Sequence, residues 1–346
     1  TGSLNGGDGP LTLTGDSINL GTEITGTDAL IIEPLSADRD LRLGGPGLPT
    51  ALTLSALELA AIDSGFTTLT LGRFDGSGAV TLGADLTLPV DTTIQSPNDG
   101  GSIDTQGFDL SAAKLTLSAA QEITTADLAA PGGISLRSEG EISTQALSTR
   151  GTNNGGNVTL DAGRTITTQQ IDTSGVSGMG GDVALSAADN IQVDTIRAEG
   201  GTTGGNVIIA TDRFQAVGSF TSLDGSPASI STAAALNPGA ITIRHGGNSM
   251  IPFEVGDSRL LGSSAALTTG DLQIPIDSSF LSSYRLGKIA LLTQDIAALA
   301  VSPAVASPAV VSRAIDTPAV SQTILLDASP ADFQSPLVES DTASTE

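Results

Sequence analysis

Between Leu115 and Ile196 the apolar positions follow one template four times over. Each unit opens on an alternating pair: Leu115 and Leu117, Ile134 and Leu136, Val158 and Leu160, Val183 and Leu185. Six residues past the second member stands an isoleucine (Ile123, Ile142, Ile166, Ile191), and five further on another aliphatic (Leu128, Leu147, Ile171, Ile196). A helix would set apolar residues three and four apart, so these pairs, broken by small and polar residues, predict short strands. Three strands per unit, each with its named residues facing inward, predict a circuit that closes and climbs by one strand spacing, roughly 4.8 Å. Leu136, Leu160, Leu185 and Ile209 should then lie over one another.

The turns agree with this reading. Gly155-Gly156-Asn157, Gly180-Gly181-Asp182 and Gly204-Gly205-Asn206 each precede the first strand of a unit, where glycine and Asn or Asp can take positive φ without steric cost. Extra residues collect before these corners, in 150–154 and 175–180, and a stack of circuits tolerates loops at one corner because its inward ladder is undisturbed. The first 110 residues carry the same theme less regularly, in pairs such as Leu11/Leu13, Leu30/Ile32, Leu69/Leu71 and Val80/Leu82. Within them, Ser55 to Asp63 reads as a helical turn capped by Ser55 with Glu58 three residues on. The expected fold class is all-β: a right-handed parallel β-helix of triangular section over 1–245, with a short helical insertion near 55–63 and an irregular C-terminal extension. Residues 246–300 are expected to be a cap or an excursion, with 284–301 readable as helix or as strand then helix, and 301–346, rich in Pro, Ala, Ser and Asp, a flexible linker or tail.

Composition narrows the function classes. Forty-two glycines stand against eight Phe, one Tyr and no Trp among 346 residues, which suits aliphatic ladders and tight turns better than an irregular enzyme core. A net charge of -24 repels phosphate backbones and anionic lipid heads, so neither nucleic acid nor a membrane surface is an expected partner. No stretch approaches 18 consecutive apolar residues, and no membrane insertion is expected. Without cysteine, thiol catalysis and thiolate metal sites are excluded. The sequence opens at Thr1 with no basic or apolar leader, so export is not legible in this stretch.

Candidate chemistry is sparse, and no catalytic, cofactor-binding or metal-ligating residue is assigned. His245, the single histidine, lacks a nameable nucleophile or orienting partner and reads as a corner or cap residue. Asp161, Asp172, Asp182, Asp189 and Asp194 are spread over different positions of their units. Asp172 and Arg197 should meet across adjacent units, as a solvated pair worth under about 1 kcal/mol. No cofactor is expected; low-affinity calcium at acidic turns is the alternative, for which Gly6-Gly7-Asp8-Gly9 is a lone partial match. Glycine-rich turns that do not lead into a helix N-terminus make poor phosphate cradles.

The coil stretches GGNVTL, GGDVALSA and GGNVIIA (155–160, 180–187, 204–210) resemble those of the filamentous-haemagglutinin-like exoproteins of two-partner secretion. LELAAIDSGFTTLTLG (57–72) with Arg73 and Gly76-Ser77-Gly78, ITIRHGGNSMIPFEVGD (241–257) and ALTTG (266–270) resemble elements of the cyanobacterial members. The likeness covers about 1–275 and lacks the N-terminal secretion domain. It implies export through an outer-membrane partner barrel, folding outside into a long right-handed β-helix, and a secreted or cell-surface role in adhesion or display. Outer faces rich in Thr, Ser, Asn and Asp make glycans or envelope components the expected contacts. Some relatives bear a caspase-like peptidase domain further along, whose His and Cys constellation is missing here. The leading expectation is a non-enzymatic structural or adhesive stalk. The alternatives are a β-helix polysaccharide lyase or hydrolase, which needs at least three convergent carboxylates beside a basic residue, or the passenger of a larger peptidase-bearing exoprotein.

Overall fold

The computed structural model describes residues 4–21, 23–247, 250–293 and the strand Gln322–Leu325. Strands dominate, and they run in long, mostly parallel ladders. The first ladder starts at Leu11–Thr14 and Ala29–Glu33, passes through Thr68–Leu71, Asp91–Ser96, Leu115–Ala119, Ile134–Ser138, Val158–Ala162, Val183–Ala187 and Val207–Ala210, and reaches Ile241–His245 and Ile289–Thr293. Its register sets Leu117, Leu136, Leu160, Leu185 and Ile209 directly over one another, all buried. The alternation seen in the sequence thus becomes a column of touching aliphatic side chains, each worth about 1.5 to 3 kcal/mol of burial. One rung departs from this chemistry. Thr92 sits between Leu69 and Leu115, and its hydroxyl donates to the Val90 carbonyl at 3.0 Å, so the buried oxygen is satisfied.

The other inward positions build two further ladders. Ile123, Ile142, Ile166, Ile191 and Phe214 form one, and Leu128, Leu147, Ile171, Ile196 and Ile230 the other. In the earlier circuits a bend separates the two, as between Glu141–Ser143 and Leu147–Ser148. In Thr165–Asp172 and Asn190–Arg197 a single eight-residue strand serves both, because the corner has straightened, and the next circuit divides them again between Arg213–Ala216 and Pro227–Ser231.

Two regions interrupt the stacking. Near the start, Asp40–Gly44 pairs in parallel with both Ala51–Ser55 and Ala79–Leu82, and the chain then turns through the helix Ala56–Ala60. Its capping box is complete: Ser55 Oγ accepts from the Glu58 amide at 3.3 Å while the Glu58 carboxylate accepts from the Ser55 amide at 2.8 Å. The other Glu58 oxygen accepts from the Leu20 amide at 3.1 Å, tying the helix to the first circuit.

Stacking also continues past residue 245, where the sequence repeat fades. After an excursion, Gly262–Ser263 and Ala266–Thr268 rejoin the second and third ladders, and Ile289–Thr293 adds a rung to the first. All three ladders then end against antiparallel strands: Tyr284–Leu286 on Ile289–Thr293, Gln273–Ile274 on Ala266–Thr268, and Ser278–Phe280 on Phe253–Val255. An antiparallel partner breaks the climb, so these short strands are the cap, and 284–293 is a β-hairpin turning at 287–288. The expected helix after 293 lies outside the described residues, as does the expected flexible tail apart from Gln322–Leu325, which pairs in parallel with Leu11–Thr14.

Candidate functional site

The glycine corners do a different job from the one the sequence suggests. None of Gly155, Gly156, Gly180, Gly181, Gly204 or Gly205 lies in the left-handed region. They are glycine because backbones touch: a Cβ on Gly181 would stand 1.9 Å from the Gly156 carbonyl oxygen, one on Gly205 2.0 Å from that of Gly181, and one on Gly239 1.9 Å from that of Gly205. This column closes the necks of four stacked loops. Each neck carries a backbone hydrogen bond, from Gly156 to Thr149, Gly181 to Thr173, Gly205 to Ala198 and Gly239 to Thr232. In three of them a buried threonine hydroxyl answers, donating to the carbonyl of Gly156 at 2.6 Å, Gly181 at 2.7 Å and Gly239 at 3.0 Å. A Thr seven or eight residues before each glycine was the available sign in the sequence. Thr173→Val keeps the shape and strands the Gly181 oxygen, and a loss of about 1 to 3 kcal/mol is expected in urea unfolding, against no change for Thr159→Val on the exposed face.

Beside the necks, side-chain oxygens link successive circuits. Asn157, Asp182 and Asn206 each accept from the amide one circuit on, at 2.9, 2.7 and 3.0 Å. Asp85, Asp109 and Asp127 do the same elsewhere, at 3.0, 3.3 and 3.0 Å. These carboxylates serve the coil.

The best candidate for surface chemistry lies at the corner between the first and second ladders. Early circuits turn there through long loops, 72–78 and 97–101, whereas later ones use two residues, Ala120-Gln121, Glu139-Gly140 and Gly163-Arg164. Where long turns give way to short ones a recess of about 690 Å³ opens, lined by Gly100, Gln121, Glu122, Glu139, Glu141 and Arg164. Glu122 and Glu141 are register neighbours, and Arg164 Nη1 lies 3.5 Å from Glu141 Oε1 in a well-exposed pair. Glu139 also borders a second recess of about 620 Å³ with Asp75, Asn98 and Asp99. There Arg73 grips Asp75 through bonds of 2.7 and 3.1 Å, and the hydrogen bonds from that guanidinium hold Asp75 below the usual carboxylate range. Three glutamates beside one arginine are the residue types a sugar-cleaving site draws on, and sequence reasoning missed them because it compared aspartates only.

The residues singled out from the sequence are not brought together. Asp172 and Arg197 are register partners, but their side chains part. Asp172 accepts from the Ser174 amide and hydroxyl at 3.0 and 2.6 Å. Arg197 lies over the Phe220 ring at 4.5 Å, with its Nε 3.6 Å from Glu199, itself buried and accepting from Ser231 Oγ at 2.6 Å and the Leu223 amide at 2.7 Å. Nearby, burial pushes the Asp224 carboxyl up, but hydrogen bonds from Ser222, Ser226 and Thr268 outweigh it and hold the group at about 2. This polar knot fastens the hairpin between Phe220 and Ser231 to the coil. Asp8 of the partial calcium match meets Thr27 Oγ1 at 3.4 Å. Among the described residues no three His, Cys, Asp or Glu are placed to hold a metal ion.

His245 closes the last strand before the excursion and is almost fully buried, its ring 5.4 Å from that of Phe253, which stacks in turn on Phe214 at 6.5 Å. Burial pushes its pKa down to about 4. No helix among the described residues is long and apolar enough to cross a membrane. No protein-family model, curated protein or solved structure matches the chain.

Proposed function

We propose that this chain is a length of a secreted, surface-displayed stalk, a right-handed β-helix of triangular section with a structural or adhesive and non-enzymatic role. The observation carrying it is the aliphatic column from Leu13 to Leu291, which spends the interior on length and leaves outward faces of Thr, Ser, Asn and Asp. Such an object resists bending and offers a long, hydrophilic, acidic surface, suited to glycan or envelope contacts by many weak hydrogen bonds. The likeness to filamentous-haemagglutinin-like exoproteins supplies the route, export through a partner barrel in the outer membrane. The bound calcium alternative draws no support from the grouping of acidic side chains, whose oxygens mostly serve backbone amides.

A second reading is a polysaccharide lyase or hydrolase, favoured by Glu122, Glu139, Glu141 and Arg164 around the larger recess. Two carboxyl groups flanking a sugar bond can act as acid and nucleophile or base. The two readings separate on one experiment: the purified chain is incubated with a panel of neutral and acidic polysaccharides, scoring retention in affinity gels and release of new reducing ends. The stalk reading expects retention without new ends, unchanged in Glu122→Gln/Glu141→Gln. New ends that vanish in Glu141→Gln would replace it with the enzyme reading.

A further inference from the structure

The imidazole of His245 lies where the last circuits meet the cap, and its setting there is unusual for a titratable group. It sits 1% exposed, and among the described residues Nδ1 has no hydrogen-bond partner. Its ring leans on Phe253, which belongs to the excursion, while Phe253–Val255 is held from above by Ser278–Phe280. Gly247 faces the same nitrogen: a Cβ there would stand 2.9 Å from the Ile251 carbonyl oxygen, 3.1 Å from Nδ1 and 3.2 Å from Leu261 Cδ2. The coil-to-cap joint is thus closed around one neutral base by the Phe253 ring, Gly247, the Leu261 side chain and the Ile251 peptide, and none of these bonds to Nδ1. Charging that base in place means holding an imidazolium among apolar groups with one proton unanswered.

The surrounding charges do not relieve it. Asp212, on the turn before Arg213–Ala216, lies against Gly246, whose amide donates to the Asp212 carbonyl at 2.7 Å. Arg244 shares the histidine's strand. Glu254, next to Phe253, accepts from Ser279 on the capping strand at 2.8 Å. Asp257 is taken by Arg259, whose hydrogen bonds hold it at about 2. Lys288 donates to the Pro238 carbonyl. None of these groups bonds to Nδ1.

We propose that His245 is an acid-sensitive latch: neutral, it seals Phe253–Val255 onto the end of the coil, and protonated, it releases that strand and bares the Phe214 ring and the edge at Gly262–Ser263. The direction follows from linkage. The closed form holds the histidine pKa near 4, and an opened, hydrated imidazole returns to its ordinary 6.5. The open form therefore takes up the proton first, and closure weakens as pH falls from 6.5 towards 4, with no effect above that window. Between pH 7 and pH 5 the open population should rise roughly twenty-fold. Asp257, held near 2, is silent in that range.

The chain has a single histidine, so its imidazole gives one proton resonance to follow in the intact protein. A midpoint near 4 supports the latch; one near 6.5 overturns it, whatever any variant does. Amide exchange, corrected for intrinsic rate, adds the second arm. Amides of Phe253–Val255 should open roughly twenty-fold more at pH 5 than at pH 7, those of Val183–Ala187 should not, and His245→Phe should abolish the difference. Equal loosening at Val183–Ala187, or an undiminished response in His245→Phe, would overturn the proposal.

Discussion

Leu160→Asp should break the coil locally, opening at least the three circuits that contain Leu136, Leu160 and Leu185. Leu160 is wholly buried between those two neighbours, so the change first removes a burial worth about 2 to 3 kcal/mol. It then places a carboxylate in an aliphatic column, where it must either ionise without a partner or bind a proton at neutral pH, a further cost of several kcal/mol. Together these exceed the range of ordinary point substitutions. Because each circuit rests on its neighbours, the damage spreads to the adjoining rungs before it reaches the ends. Thr159→Asp, one residue away on the exposed face between Ser135 and Ala184, should stay within about 0.5 kcal/mol of the parent. Limited proteolysis and far-ultraviolet circular dichroism read the contrast, and equal damage from the two would refute the inward assignment of Leu160.

The next largest effect is expected at Gly181. A methyl group there would sit 1.9 Å from the Gly156 oxygen and 2.5 Å from its carbonyl carbon. Gly156 cannot retreat, since its own amide is bonded to Thr149 and its carbonyl takes the Thr149 hydroxyl. Gly181→Ala should therefore cost about 3 kcal/mol or more, with the loops at 151–155 and 175–180 losing exchange protection first. Gly47→Ala is the control. Among the described residues nothing lies within 4 Å of its added carbon, and its φ is ordinary, so a neutral to slightly stabilising change is expected in thermal unfolding.

These two sites mark how far the sequence was legible. The Leu136–Leu160–Leu185–Ile209 column could be read because a strand buries every second residue, and a fixed circuit brings the same positions back into register. The helix at Ala56–Ala60 could be read because Ser55 and Glu58 satisfy each other locally. The glycines were placed correctly for the wrong physical reason. Their need arises from contact with a backbone about 25 residues away, and no local rule contains it. The Thr149 and Thr173 necks were hidden likewise, since a threonine that bonds across a loop looks like any turn residue. After Ile243 the repeat is not legible because an excursion separates the rejoining strands from the rest, and because Gly262–Ser263 and Ala266–Thr268 offer a single large aliphatic, Leu267. The recess at Glu122, Glu139 and Glu141 depends on how corner lengths change between successive circuits, a comparison that requires the register first.

The central claim, that successive circuits stack at one strand spacing, can be measured as a ruler along the outward positions of the first ladder. Thr70, Thr93, Thr116, Ser135, Thr159, Ala184, Ile208 and Thr242 follow one another in register. The chain has no cysteine of its own, so spin labels can be attached cleanly to cysteines introduced at Thr70 and, in separate proteins, at Thr159, Ala184, Ile208 or Thr242. Pulsed electron resonance should return distances of about 19, 24, 29 and 34 Å, one strand spacing more for each circuit crossed. Distances that scatter, or that fail to grow with circuit number, would contradict the stacked coil and the stalk proposed from it.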